Sequence, residues 1–269
     1  MRYSFMTFSC PDLGLRNALA LARRLGYDGI EPRSAAKHAH GVEIDAPTAW
    51  RPDARRAIAD SGVALACIAT SLKYADTGAG GASERIEETI RYVDLARDLG
   101  CGRLRVFGGQ IPAGVSREAA TDAVAACLRE VARRASGSGV TVCVESHDDW
   151  CTPTDLARVM ELVDSPEIAV NWDIMHPVLT GGVTMDDAWR TLGRWTRHVH
   201  AHDGDKADGN IVLAPIGKGR IDHVAALGLL KSAGFDGFVS GEWIAWEPYE
   251  THLPRELAAL KAIEASLRR

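Results

Sequence analysis

The sequence predicts an α/β fold, a single (β/α)8 TIM barrel that covers residues 1–269. Its 269 residues, 46% of them hydrophobic, match the size of one such barrel, which takes about 250 residues and buries a full core. Short apolar runs typical of strands alternate with stretches typical of helices, and eight such pairs can be counted. The alternation alone also allows an open doubly wound sheet. No Gly-x-Gly-x-x-Gly motif follows the first strand, however, so we expect a closed barrel.

The first half of the chain supplies four of these pairs. Short apolar runs bounded by turn-forming residues predict strands at 3–9, 29–32, 63–70 and 103–107. Leu15–Leu25 places its leucines and alanines on one helical face and is closed by Gly26. Further helices are predicted at 52–60, opened by Pro52, and from Ser83 to Gly100. A glycine-rich loop at 77–81 precedes the second of these helices.

The second half supplies the other four pairs. Ser116 is expected to cap a helix that ends at the Gly137-Ser138-Gly139 turn. Strands five to eight are predicted at 140–145, 168–173, 197–203 and 238–243. The remaining helices are predicted to start at Thr152-Pro153, to cover 185–195 and 222–232, and to close the chain at 254–267 after opening at Pro254.

Composition narrows the classes of function. The net charge of -5 comes from 36 acidic and 31 basic residues mixed along the chain, and without a basic run we do not expect nucleic acid as a partner. The amino terminus lacks the pattern of a signal peptide, and no apolar stretch approaches the roughly 18 residues that span a membrane. The six cysteines form no Cys-x-x-Cys pair, which favours reduced, buried thiols in a cytoplasmic protein.

Polar side chains interrupt the apolar runs at the ends of the last four predicted strands. These side chains are Glu145, Asp173, His200 and Glu242. In a barrel, functional groups lie at the carboxyl ends of the strands, so the four should meet at a similar height. One carboxylate at a strand end is often a helix cap or a solvated loop residue, but metal-competent groups on four consecutive strands favour a metal site. Three carboxylates and one imidazole suit one divalent ion, with Mn2+ ahead of Mg2+, Co2+ or Zn2+.

Histidines recur around this site. His198, His200 and His202 alternate along strand seven and should point into the barrel at three successive depths. His200 matches the depth of the other strand ends, so we expect His198 to be a deeper, hydrogen-bonded residue and His202 to touch substrate or solvent. His176 follows Asp173 by three residues and could reach a substrate oxygen, support the metal ligands, or be an ordinary loop residue.

These residues give the chain a resemblance, over nearly its whole length, to the xylose isomerase-like barrel superfamily. The resemblance rests on Gly26-Tyr27-Asp28-Gly29-Ile30-Glu31, Glu145, the Asp173/His176 spacing, His200-Ala201-His202-Asp203, Gly217-Lys218-Gly219-Arg220-Ile221-Asp222 and Glu242-Trp243. Singly these motifs are weak, but their order is fairly specific. The superfamily contains sugar isomerases and epimerases, inosose and dehydroshikimate dehydratases, and the endonuclease IV class of DNA repair enzymes.

The resemblance implies a metal-dependent isomerase or epimerase that acts through a metal-bound enediolate on a ketose or related polyol ketone. It implies that Glu145, Asp173, His200 and Glu242 bind the metal, and that Glu145 and Glu242 also exchange protons with the substrate. A dehydratase of the inosose or dehydroshikimate type is the alternative, since loss of a β-hydroxyl can use similar chemistry. A small sugar or polyol is the expected partner, with homo-oligomerisation left open.

Groups near the other strand ends are candidates for substrate contact. With His176 and His202, these candidates are Glu31, Arg33, Lys73, Arg105, His147 and Trp246, each near or just beyond a predicted strand end. A surface salt bridge or a packing role is an equally good interpretation of each. Trp172, Trp243 and Trp246 could form an apolar wall against a sugar, although tryptophan is also ordinary barrel packing.

Two other classes compete less well. The DNA repair branch needs three metals and histidines at early strand ends, where this chain has Ala69-Thr70-Ser71 and Phe107-Gly108-Gly109, and no basic groove is predicted. A non-catalytic sugar-binding barrel would keep the fold without needing both Glu145 and Glu242. The pair of glutamates therefore favours an enzyme.

Overall fold

The computed structural model describes residues 1–76 and 81–267. Most of the predicted glycine-rich loop at 77–81 lies outside the described residues. The strands that form the barrel are β1 (Arg2–Met6), β2 (Gly29–Glu31), β3 (Ala64–Leu65), β4 (Ile68–Lys73), β5 (Arg103–Phe107), β6 (Thr141–Glu145), β7 (Ile168–Asp173), β8 (Thr196–Ala201) and β11 (Phe238–Gly241).

These strands make one parallel sheet in the order β3-β2-β1-β11-β8-β7-β6-β5-β4. The third barrel strand is interrupted: β3 pairs with β2, and β4 pairs with β5. An isolated bridge from Arg33, just after β2, to Ala69 on β4 joins the two edges. The sheet therefore closes on itself with eight strand positions, which confirms the predicted barrel.

The helices surround the sheet. They are α1 (Leu15–Leu25), α2 (Arg51–Ser61), α3 (Gly81–Leu99), α4 (Arg117–Ala135), α5 (Pro153–Val163), the short α6 (His176–Leu179), α7 (Met185–Leu192), α8 (His223–Ser232) and α9 (Tyr249–Ser266). Ser116 caps α4 and Asp222 caps α8 by accepting backbone N–H groups, from Ala119 and Ala225 respectively. No helix in the described parts of the chain is long and apolar enough to cross a membrane.

Two helix starts and the end of the first strand are among the differences from the prediction. The helix expected from Ser83 already begins at Gly81, and the helix expected from Pro254 begins at Tyr249 with Pro254 inside it. Pro254 removes only one backbone donor, while His252 and Leu253 in the added turn are buried, so packing outweighs the lost bond. The strand expected at 3–9 ends at Met6 and turns into a 3-10 helix.

A hairpin that the sequence analysis did not predict follows β8. The expected seventh strand at 197–203 stops at Ala201, and Asp203–Ala207 (β9) pairs antiparallel with Asn210–Ala214 (β10). Asp208 and Gly209 connect the two strands, both with positive φ, as a tight hairpin turn requires. This hairpin stands next to the barrel mouth, directly after the histidine-rich strand.

Candidate metal centre

The carboxyl ends of β6, β7, β8 and β11 bring together the four residues that the sequence singled out. Glu145, Asp173, His200 and Glu242 each offer one ligand atom, and these atoms all lie within 4.8 Å of one another. Strand register explains the grouping, since His200 is level with Asp173 on one side and with Ser240 on the other. All four side chains are buried.

The His200 ring sits between these acids and a deeper one. Its Nδ1 lies 2.8 Å from Glu145 Oε1 and 3.2 Å from Glu242 Oε2. Its Nε2 lies 3.0 Å from Glu31 Oε1 on the opposite side. A histidine held by a carboxylate through one nitrogen and free to bind a metal through the other is the usual arrangement of a metal ligand. The donor set therefore fits one divalent cation on the Nδ1 side.

Charge explains why such a cluster suits a cation. Burial alone would lower the pKa of His200, but Glu31, Glu145 and Glu242 raise it well above its usual value. Burial would raise the pKa of Glu242, yet the charge and hydrogen bond of His200 lower it to about 2. In the absence of a metal, a proton on His200 offsets part of the negative charge. A bound divalent ion would replace that proton, because the ligand nitrogen must be unprotonated.

Asp173 is oriented by the turn that follows it. Its Oδ1 accepts N–H groups from Met175, at 2.7 Å, and from His176, at 2.8 Å. Its Oδ2 lies 2.8 Å from His202 Nε2. Burial would raise the pKa of Asp173, but His202, His176 and these bonds lower it below its usual value. Asp173 therefore stays ionised, and its contacts with Met175, His176 and His202 fix the orientation of both carboxylate oxygens.

Two residues expected at the rim lie deep in the barrel instead. Glu31 is fully buried, and its Oε2 lies 2.8 Å from Nε2 of the equally buried His198. Arg105, 1% exposed, lies 3.2 Å from Glu145 Oε2 through Nε and donates to the Thr70 carbonyl at 2.6 Å. Both sequence positions carry inward-facing side chains of short strands, so their charges line the barrel interior. Glu31 therefore contacts the candidate ligand His200, and Arg105 contacts the candidate ligand Glu145, from within the barrel.

Three histidines line the open end of the site. The ring centroids of His147 and His176 are 4.0 Å apart, and those of His176 and His202 are 5.8 Å apart. His147 Nδ1 lies 3.1 Å from Asp148 Oδ1. Burial would lower the pKa of His147, but Asp148 and Glu145 raise it to about 9. A protonated His147 therefore lies at the entrance to the acidic cluster.

The tryptophans do not form one wall. Trp172 packs against Trp189 of α7, with ring centroids 5.1 Å apart, on the outer side of the sheet. Trp243 packs on His252 of α9 at 5.1 Å and is fully buried. Trp246 is half-buried beside His252 and Arg255. Trp172 and Trp243 are thus barrel packing, and Trp246 lies in the loop after β11.

Sequence reasoning missed two polar residues of the site. Asn171 Nδ2 lies 3.1 Å from His200 Nδ1, and Ser146 Oγ accepts the Asp173 N–H at 3.0 Å. Period-two alternation from Asp173 could have found Asn171, because i and i+2 face the same side of a strand. Ser146 gives no such signal, since it follows the strand end.

Asp203, which the sequence analysis named only as part of a motif, anchors a neighbouring loop. Its two oxygens accept backbone N–H groups from Gly204, Gly217, Lys218, Gly219 and Ile221. A Cβ added to Gly219 would lie 2.3 Å from Asp203 Oδ1, so glycine is required there. Asp203 thus ties the loop at 217–221 to the end of β8.

Comparisons with known proteins agree with this geometry. The family model described as "Xylose isomerase-like TIM barrel" matches residues 19–268. A human protein named "Putative hydroxypyruvate isomerase" is 26% identical over 255 residues, which cover 83% of each chain. An uncharacterized protein of Methanocaldococcus jannaschii is 28% identical over 121 residues, 43% of this chain and 41% of that protein.

Solved structures show the same fold at low identity. An L-ribulose 3-epimerase superposes with a TM-score of 0.81 at 20% identity, over 100% of this chain and 96% of that one. A probable 3-DHS dehydratase from Bacillus anthracis gives 0.80 at 19%, over 97% and 99%. The IOLI protein with a bound zinc atom gives 0.81 at 19%, over 99% and 98%. The chain belongs to the xylose isomerase-like TIM barrel family.

Proposed function

We propose that this protein is a metal-dependent isomerase or epimerase of a ketose or related polyol ketone. The observation that carries the proposal is that Glu145 and Glu242 both lie close to His200 Nδ1, at 2.8 and 3.2 Å. Both can serve as metal ligands and as bases. A site that only bound sugar would not need two buried glutamates here.

A divalent cation bound to the four residues would stabilise negative charge that develops on the carbonyl and hydroxyl oxygens of a substrate. We name Mn2+ as the metal, with Mg2+, Co2+ or Zn2+ as alternatives, because three carboxylates and one imidazole suit these ions. The zinc atom in the similar IOLI structure supports a divalent metal in this fold.

The two glutamates would carry the protons. One of them, which we take to be Glu242, removes the weakly acidic proton next to the substrate carbonyl. If Glu145 returns a proton to the opposite face, the product is an epimer. If the proton returns to the neighbouring carbon, the product is the aldose-ketose isomer.

A second candidate is a dehydratase, favoured by one observation. Elimination of a β-hydroxyl needs a proton donor for the leaving oxygen, and His147, with its pKa raised to about 9, is protonated at neutral pH at the mouth. The structural likeness to a probable 3-DHS dehydratase is compatible with this reaction. Isomerase chemistry remains first because it needs only the two glutamates.

The test is deuterium incorporation measured by NMR. Purified protein is incubated in heavy water with added Mn2+ and a panel of ketoses, inososes and small hydroxyketones. We expect deuterium at the carbon next to the carbonyl, without loss of a hydroxyl. Exchange with loss of water would favour the dehydratase instead. Absence of bound metal by elemental analysis, of a thermal shift with Mn2+ and of all exchange would refute the enzyme proposal.

A further inference from the structure

Arg33 lies just after β2, beyond Pro32, and its backbone is fixed at the carboxyl end of the barrel. Its N–H donates to Thr7 Oγ1 at 2.9 Å, and its carbonyl lies 3.2 Å from His40 Nε2. The bridge to Ala69 holds its backbone from a third side. The position of this side chain is therefore set by three separate elements of the fold.

The Arg33 guanidinium makes fewer hydrogen bonds than its N–H donors allow. It donates to the Ser34 carbonyl and to Ser71 Oγ, and its Cζ lies 5.6 Å from the Phe8 ring centroid. It makes no ion pair with any residue that the structure describes. A guanidinium has five N–H donors in a planar fork, so donors are left for a ligand.

The charges that act on Arg33 include two acids of the metal centre. Burial and the charge of Arg105 lower the pKa of Arg33 to about 10, while Glu242 and Glu145 oppose the shift. Arg33 therefore remains a cation at neutral pH. Arg105, its cationic neighbour, is occupied by Glu145 and the Thr70 carbonyl. Lys73, at the end of β4, lies 3.9 Å from Asp148 Oδ2. Of these three cations, Arg33 is the one that has no carboxylate partner among the described residues.

We propose that Arg33 binds a carboxylate carried by the substrate, so that the protein acts on a hydroxy keto acid in preference to a neutral sugar. This inference rests on the proposed function and narrows its substrate class. The planar fork matches a carboxylate through two parallel hydrogen bonds. A singly charged group suits the site better than a phosphate dianion, because Glu145, Asp173 and Glu242 already place three carboxylates nearby.

The test compares matched substrates and matched variants. Hydroxypyruvate is compared with dihydroxyacetone, which has the same carbon count without the carboxylate, and with dihydroxyacetone phosphate. The proteins are wild type, Arg33→Met, Arg33→Lys, and the exposed control Arg91→Met, all with Mn2+. Proton exchange gives kcat and KM, and calorimetry gives the Kd of hydroxypyruvate.

We expect wild type to prefer hydroxypyruvate over both other compounds. Arg33→Met should weaken its kcat/KM by about 10- to 100-fold, mainly through KM, which is the scale of a lost pair of charge-assisted bonds. The kcat/KM for dihydroxyacetone should change less than about threefold in Arg33→Met. Arg33→Lys should recover part of the loss on hydroxypyruvate, and Arg91→Met should match wild type.

Three outcomes would overturn the inference: preference for dihydroxyacetone, preference for the phosphate compound, or equal losses on all compounds in Arg33→Met. The first leaves the proposed isomerase function standing. If no compound exchanges, the proposed function fails on this panel, and calorimetry alone decides the inference. An unchanged Kd of hydroxypyruvate in Arg33→Met then overturns it, and a tenfold weaker Kd supports it.

Discussion

The two halves of the barrel mouth differ in charge. The late half, at the ends of β6, β7, β8 and β11, carries Glu145, Asp173, His200 and Glu242 within one cluster. The early half carries Arg33 after β2 and Lys73 at the end of β4, with Arg105 and the acid Glu31 buried deeper in the barrel. An anionic half suits a cation, and a cationic half suits an anionic substrate group. Under the proposed function, the late half would carry the chemistry and the early half would bind an anionic group of the substrate.

The histidines follow the same division. In the late half, carboxylates raise the pKa of His200 and of His202 despite burial, and His147 is raised to about 9. In the early half, burial lowers the pKa of His38, and it lowers that of His40 to about 4. Acids thus raise the pKa of these three late-half histidines, whereas burial has the larger effect at His38 and His40. Burial also has the larger effect at His176 and His198, which are exceptions in the late half.

The largest expected effect comes from the late half. Glu145→Gln or Glu242→Gln should lower kcat by about 10²- to 10⁴-fold, because each removes a proton-transfer group. The measurement is deuterium exchange at saturating Mn2+, together with metal content, so that lost chemistry is separated from lost metal. The exposed Glu118→Gln serves as the control. Near-normal turnover in either variant with metal bound would exclude a proton-transfer role for that residue.

The sequence predicted the late half well for a physical reason. Buried strands read as apolar runs, so the polar endings of 140–145, 168–173 and 238–243 stand out against them. Parallel strands in a barrel end at one face, so the order of the strands along the chain is enough to group these endings. Their roles as ligands remain a prediction until a metal is measured.

The early half was harder to predict. Glu31 and Arg105 look like rim residues, because each lies near a strand end and charged side chains are usually exposed. The structure buries both, because each finds charged or hydrogen-bonding partners on another strand: Glu31 on His198 and His200, Arg105 on Glu145. Such pairings join residues that are far apart in the sequence. Hydrophobic periodicity and secondary-structure propensity describe only local sequence, so they do not predict these pairings.

Glu31 tests whether the two halves are independent. It belongs to an early strand but holds Nε2 of the late-half ligand His200 at 3.0 Å. Glu31→Gln keeps the shape of the side chain but removes the charge that holds His200 Nε2. The affinity for metal should therefore fall by about 10- to 100-fold. Titration with Mn2+ followed by calorimetry measures the change, with Glu118→Gln as the control. An unchanged affinity would mean that the late half binds metal without help from the early half.

The smallest effect concerns the neutral histidines of the early half. His40 Nδ1 accepts the Val42 N–H at 2.9 Å, and Nε2 lies 3.2 Å from the Arg33 carbonyl, so the neutral ring satisfies both bonds. Protonation of Nδ1 would break the first. The folded pKa of about 4 lies below the usual 6.5, so the unfolded chain binds this proton first as pH falls.

The stability that neutral His40 contributes is therefore complete above about pH 6.5 and is lost as pH falls toward about 4. Between pH 8 and pH 5, wild type should lose on the order of 1–2 kcal/mol of unfolding free energy that His40→Gln does not lose. Urea unfolding of both proteins at each pH measures the difference. The difference in unfolding free energy between the two proteins at pH 8 is subtracted, because it reflects the altered hydrogen bond to the Val42 N–H and not protonation. Parallel loss in the two proteins would show that His40 is not held neutral, and that the histidines of the two halves do not differ as described.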